Sequence, residues 1–184
     1  MAPDRSAESE SFTGFARFLH WTMAVMVLAM LFIGVVMVSS ISAYHVLLTV
    51  HRPLGIAILL FVLIRLGYRL RHRPPPHPAS MHRLDHLAAT TSEYLLYALL
   101  VVQPLIGWAT VSASGTPIVL AGSLRLPPIV PASPSLYATL HQTHIVLAYL
   151  LFFVFLAHLI GALLHALILR DGVFERMTPH VMRR

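Results

Sequence analysis

Four stretches of the chain stay almost free of charged side chains long enough to cross a hydrocarbon layer: Phe18 to Val38, Val46 to Leu66, Tyr94 to Ala113, and His144 to Leu169. A bilayer core takes about 20 residues of α-helix, because a helix in lipid must satisfy its own backbone hydrogen bonds. Polar or proline-rich segments separate the stretches. RHRPPPHP stops the second and LPPIVPASP breaks the third connection, since consecutive prolines lack the N–H donors that a helix needs. The first stretch, at 21 residues, is longer than the apolar core of a secretory signal, which is about 7–15 residues, and it reads as a retained helix. The pattern predicts an all-α protein, an integral membrane four-helix bundle, built as a single domain over residues 1–184 with no internal repeat.

Composition agrees: 57% of the 184 residues are hydrophobic and 11% charged, and the mean hydropathy is +0.76. A soluble core of this size does not hide so much apolar surface. With no cysteine, disulfides, iron–sulfur clusters and covalently attached c-type haem are excluded, and twelve histidines become the main ligand resource. All thirteen basic residues are arginine. Arg5, Arg17, Arg65, Arg69, Arg71, Arg73, Arg83, Arg170, Arg176, Arg183 and Arg184 fall on one side of the alternating spans, leaving Arg52 and Arg125 on the other. Basic residues near helix ends stay on the cytoplasmic side, so both termini are expected in the cytoplasm. Lipid is the surrounding partner, and no nucleic-acid partner is expected.

Depth and face sort the histidines. His51 and His144 begin the second and fourth spans, near the outer surface. His158 is fourteen residues past His144, about 21 Å deeper at 1.5 Å per residue, level with His20 at the inner end of the first span. Fourteen residues make almost four whole turns, so His144 and His158 share one stripe of their helix. The same step runs from His51 to Arg65 and from His20 to Gly34. Arg65 is thereby placed beside the inner pair for an acid group of a cofactor; Gly34 and Gly55 are expected to clear space at the outer pair. Two imidazole pairs from facing helices, one in each leaflet, match bis-histidine ligation of two b-type haems (iron): His20 with His158 inside, His51 with His144 outside. A lone intramembrane histidine often only hydrogen-bonds a neighbouring helix; four that agree in depth, face and pairing argue for ligands.

RFLHW at His20, VHRPLGIAILLFVLIRL, PLIGWATVSASG, the THIVLAYLLFFVFLAH run and GVFERMTP together resemble the bacterial cytochrome b561 family over nearly the whole chain. GWATVSASG and the fourteen-residue histidine spacing are the specific parts. The resemblance implies a small four-helix dihaem cytochrome with axial ligands at His20, His51, His144 and His158. It also implies superoxide oxidase activity, in which an electron from periplasmic superoxide passes to ubiquinone. Related cytochrome b subunits anchor other redox enzymes, so a non-catalytic electron relay between the quinone pool and a redox partner protein is the alternative, and a homodimer is left open. A histidine-lined metal carrier fits two discrete pairs less well than a continuous path.

Further candidates surround these pairs. His165, two turns past His158 and nearer the cytoplasm, is expected either to hold or protonate a quinone or to be a hydrogen-bonded helix end. Arg17 suits an inner haem propionate or simple anchoring; Arg52, Ser112 and Ser114 are candidates at the outer haem. His141 is a less favoured ligand than His144, and His45 reads as a loop residue. His72, His77, His82 and His86 flank a solvated loop, and Trp21 and Trp108 fall at the two interfaces. All seven acidic residues lie on the cytoplasmic side of this topology. The outer face, with Arg52 and Arg125, then carries a field that attracts small anions.

Overall fold

The computed structural model describes residues 11–72, 75, 81–121 and 124–178. Arg5, Arg73, His77, Arg183, Arg184 and the acidic residues Asp4, Glu8 and Glu10 lie outside the described residues. Four helices form the body: α1 (Gly14–Ser39), α2 (Ile41–Arg71), α3 (Arg83–Ala113) and α4 (Pro134–Leu164), the last continued by a π-helical turn, His165–Leu169. All four are long and apolar enough to cross a membrane, and each exceeds the span its hydropathy predicts.

The extra length follows from caps. Thr13 accepts a hydrogen bond from the Ala16 N–H and starts α1 ahead of the apolar run. Ser40 alone connects α1 to α2: its N–H donates to the Val36 carbonyl and its side chain accepts from the Ala43 N–H. His45, expected in a loop, is therefore inside α2, because one capping serine suffices for the reversal. Ser133 caps α4, with Pro134 at the first position where a missing N–H costs nothing, so His141 is helical as well. Pro53 and Pro104 sit inside α2 and α3, as membrane helices tolerate.

One connection adds β-structure to the all-α expectation. Strands β1 (Ile118–Ala121) and β2 (Leu124–Leu126) pair antiparallel, Ile118 with Leu126 and Val119 with Arg125. Ile118 is buried, with β1 against α2. The following loop is tied to the end of α3: Trp108 Nε1 donates to the Pro127 carbonyl at 2.9 Å, and the Ile129 N–H to Ser112 Oγ at 3.2 Å.

The helices form two hairpins. α1 packs on α2 and α3 on α4, while α2 meets α3; the backbones of α1 and α4 scarcely approach each other. The buried core, Met23, Val27, Ile58, Leu59, Val62, Tyr97, Leu99, Leu100 and Leu151, lies where the four meet. Large apolar side chains such as Phe32, Leu60 and Phe153 face outward, as suits a multi-pass membrane protein surrounded by lipid.

Candidate functional site

Helix α4 presents His144 and His158 from one stripe, and each meets an imidazole of the N-terminal hairpin. The His51 and His144 ring centres are 6.2 Å apart, and those of His20 and His158 are 6.5 Å apart. An imidazole nitrogen bonds a first-row metal at about 2.0–2.1 Å and lies about 1.1 Å from its ring centre, so two imidazoles on opposite sides of one metal have centres about 6.2–6.4 Å apart. The His51–His144 pair stands at that separation, and the His20–His158 pair is just beyond it. Nδ1 of His51 and Nδ1 of His144 are buried, and neither has a hydrogen-bond partner among the described residues. The backbone of α4 lies much closer to α3 than to α1 or α2, and the histidine side chains reach across to the latter two.

The chain carrying these rings is the family scaffold that the sequence motifs resemble. The model for prokaryotic cytochrome b561 matches residues 11–180. The chain belongs to the prokaryotic cytochrome b561 family. It is similar to the probable superoxide oxidase CybB of Yersinia pestis, 32% identical over 130 residues that cover 71% of this chain and 73% of that protein. It is also similar to cytochrome b561 homolog 2 of Escherichia coli strain K12, at 27% identity over 161 residues covering 86% of each chain. Membership of a cytochrome b family implies that this chain binds haem b. The imidazole spacing and the buried ring nitrogens fit such a group. Among the described residues, no three histidine or acidic side chains converge to hold a bare metal ion instead.

Around the His51–His144 pair, α3 supplies what the histidine pattern could not indicate. Gln103 Nε2 donates to the His144 carbonyl at 2.9 Å. A Cβ added at Gly107, one turn further on, would stand 3.1 Å from His144 Cε1. Gly107 is thus the close-packed glycine. Nothing lies within 4 Å of the same position at Gly34, and Gly55 meets only Met30 Cε at 3.7 Å. The signal was present, since Gln103 is a lone amide in an apolar span, with Gly107 four residues later on its face. Arg52 Nε, next to His51 in the chain, is buried with no partner among the described residues. Ser112 Oγ donates to the Trp108 carbonyl and Ser114 Oγ to that of Val111, so both hydroxyls finish the end of α3.

The other pair has a denser polar surround. Arg65 ties three helices together, donating through Nε to Tyr97 Oη at 2.9 Å and through Nη1 to the Ala16 carbonyl at 3.0 Å. Arg69 grips Glu93 with two hydrogen bonds, at 2.5 and 2.8 Å, and both guanidiniums approach the Tyr97 ring. A small cavity of about 60 Å³ opens beside Thr13, Ala16, Arg65, Tyr68 and Tyr97. The tail crosses α1: Arg17 Nη1 donates to the Thr178 carbonyl at 3.2 Å, and Trp21 Nε1 to that of Met177 at 2.9 Å. Trp21 is thereby a strap for the tail, and its ring also stands edge-on to His20.

His165 is buried at the π turn, and its Nδ1 lies 2.7 Å from Asp171 Oδ2. Arg170 between them has φ 49°, the left-handed region, which costs a non-glycine residue about 1–2 kcal/mol. Burial opposes ionisation of Asp171, but hydrogen bonds from His165 and from the Val173 N–H outweigh it, holding the carboxyl below its usual range. Asp171 was not among the sequence candidates, because reaching His165 requires a break in helical periodicity.

Proposed function

We propose that this chain is a superoxide:ubiquinone oxidoreductase of a bacterial inner membrane, with both termini in the cytoplasm. His51 and His144 hold one haem b in the periplasmic half, and His20 and His158 a second in the cytoplasmic half. The observation carrying this reading is the pair of bis-imidazole spacings, 6.2 and 6.5 Å, at two levels of α4. When bound, each haem would supply reversible one-electron storage, and the two imidazoles of its pair would hold it.

The protein's own contribution is placement and charge. Arg52, with a buried and unpaired Nε, suits an acid group of the periplasmic haem, while Arg17 and Arg65 stand at the other level. Among the described residues, the carboxylates Asp85, Glu93, Asp171 and Glu175 all lie toward the cytoplasmic end of this topology, where Arg69, Arg71, Arg83 and Arg170 also lie. The opposite end offers Arg52 and an exposed Arg125, a field that draws a small anion inward. The name of the Yersinia pestis relative supports superoxide as the donor. Two superoxide ions are oxidised to two O2, and one ubiquinone with two protons becomes ubiquinol, near His165.

Stopped-flow mixing of the oxidised, purified protein with superoxide tests this. The haem bands are expected to shift to the reduced form and to return on adding ubiquinone, with about two haems per chain. Reduction by ubiquinol but not by superoxide would overturn the enzyme reading in favour of an electron relay to another redox protein.

A further inference from the structure

The last turn of α4 is built to bring an acid to His165. Residues six apart in a regular helix stand about 240° apart around the axis and cannot touch. Here the π turn widens the helix, and the Arg170 N–H donates to the His165 carbonyl at 2.8 Å. Arg170 then reverses the chain in the left-handed region, the one non-glycine to do so among the described residues. Asp171 is returned to Nδ1 of His165 at 2.7 Å, and its second oxygen accepts from the Val173 N–H at 3.2 Å, which fixes the carboxylate. The histidine side chain is 11% exposed and that of the aspartate 21%, so the pair runs from a buried ring to a more open acid. His165 is seven residues past His158, almost two turns, and keeps to the same stripe about 10 Å nearer the cytoplasm.

We propose that Asp171 is the positioning residue that enables His165 to pass protons to the quinone. The proposal rests on the reading that ubiquinone is reduced beside His165. With Nδ1–H donated to the Asp171 carboxylate, the tautomer and ring plane are set, and Nε2 is the nitrogen that meets a quinone oxygen. In the imidazolium form the N–H bond at Nε2 breaks and an O–H bond forms on the quinone. The neutral ring keeps Nδ1–H on Asp171 and takes a new proton from cytoplasmic water. Two such transfers, with the two electrons of two superoxide ions, convert one quinone to one quinol. The Asp171 charge stabilises each protonated ring between transfers.

The test compares wild type, Asp171→Asn and Asp171→Glu, each purified with its haem and mixed with superoxide and then with a short-chain ubiquinone. Haem reduction by superoxide is expected to be the same in all three. In Asp171→Asn, kcat for quinone reduction is expected to fall about 10–100-fold, with KM for quinone changed less than about threefold, as when a charge that orients a working histidine is lost. Asp171→Glu restores the charge and is expected to recover at least about a tenth of the wild-type rate. Wild-type turnover in Asp171→Asn, a loss confined to KM, or a glutamate variant no better than the asparagine one would each overturn the proposal alone. Wild-type haems that ubiquinone cannot reoxidise would overturn the underlying quinone reading, and the proposal with it.

Discussion

Replacing Gly107 separates two opposing effects whose sizes can be worked from the structure. In the interior of α3, glycine to alanine is worth about 0.5–1 kcal/mol of added helix stability. Against this, the new methyl carbon would stand 3.1 Å from His144 Cε1 and 3.5 Å from its Nδ1. Ordinary carbon contacts begin near 3.5 Å, so the ring must give way by about 0.4 Å or more. His144 is not free to do so, because its backbone carbonyl is held by Gln103 and its ring is matched to His51 at 6.2 Å. Gly107→Ala is therefore expected to shift the spectrum or potential of one haem of the two, with little net gain in thermal stability. The branched Gly107→Val is expected to empty that site. Haem content per chain, optical spectra and a redox titration give the readouts. Full haem content in Gly107→Val, or an alanine variant about 1 kcal/mol more stable with unaltered haem spectra, would refute the close contact.

Three further outcomes are expected. His51→Ala or His144→Ala should each leave about half the haem, since the other pair is complete about 21 Å away along α4; loss of both haems, checked by extracted haem content, would break the pairing. Arg65→Leu removes charged hydrogen bonds to Tyr97 and Ala16 and should cost about 1.5–3 kcal/mol by thermal melting, perturbing the His20–His158 haem and not the other. Haem reduction by superoxide should slow in Arg125→Ser and as added salt shortens the screening length from about 8 Å, measured by stopped flow across a salt series.

Hydropathy displayed the four spans because lipid solvation demands long apolar runs, but it could not display the helix beyond them. LDHLAATTSE at the start of α3 and SLYATLHQT at the start of α4 are polar yet helical, with caps at His82 and Ser133 fixing their limits. The histidine pairs were legible because periodicity of 100° and a rise of 1.5 Å give face and depth on each helix separately. Periodicity does not say which neighbouring helix comes closest. For that reason Gly34 and Gly55, which share helices with His20 and His51, drew attention while Gly107 on α3 holds the tight contact. Asp171 escaped for another reason, since the π turn and the φ of Arg170 are departures from the regular geometry on which the arithmetic depends.

The division into two hairpins has a consequence for how the protein is made. His20 and His51 lie on α1 and α2, whereas both of their partners lie on α4. The one-residue link at Ser40 lets α1 and α2 enter the membrane as an early unit, yet that unit owns half of each pair and no whole one. The final helix to emerge from the ribosome completes both together. On the proposed ligand assignment, cofactor loading would be a late event of biogenesis that joins the two halves, and a chain truncated before α4 would be left with neither pair.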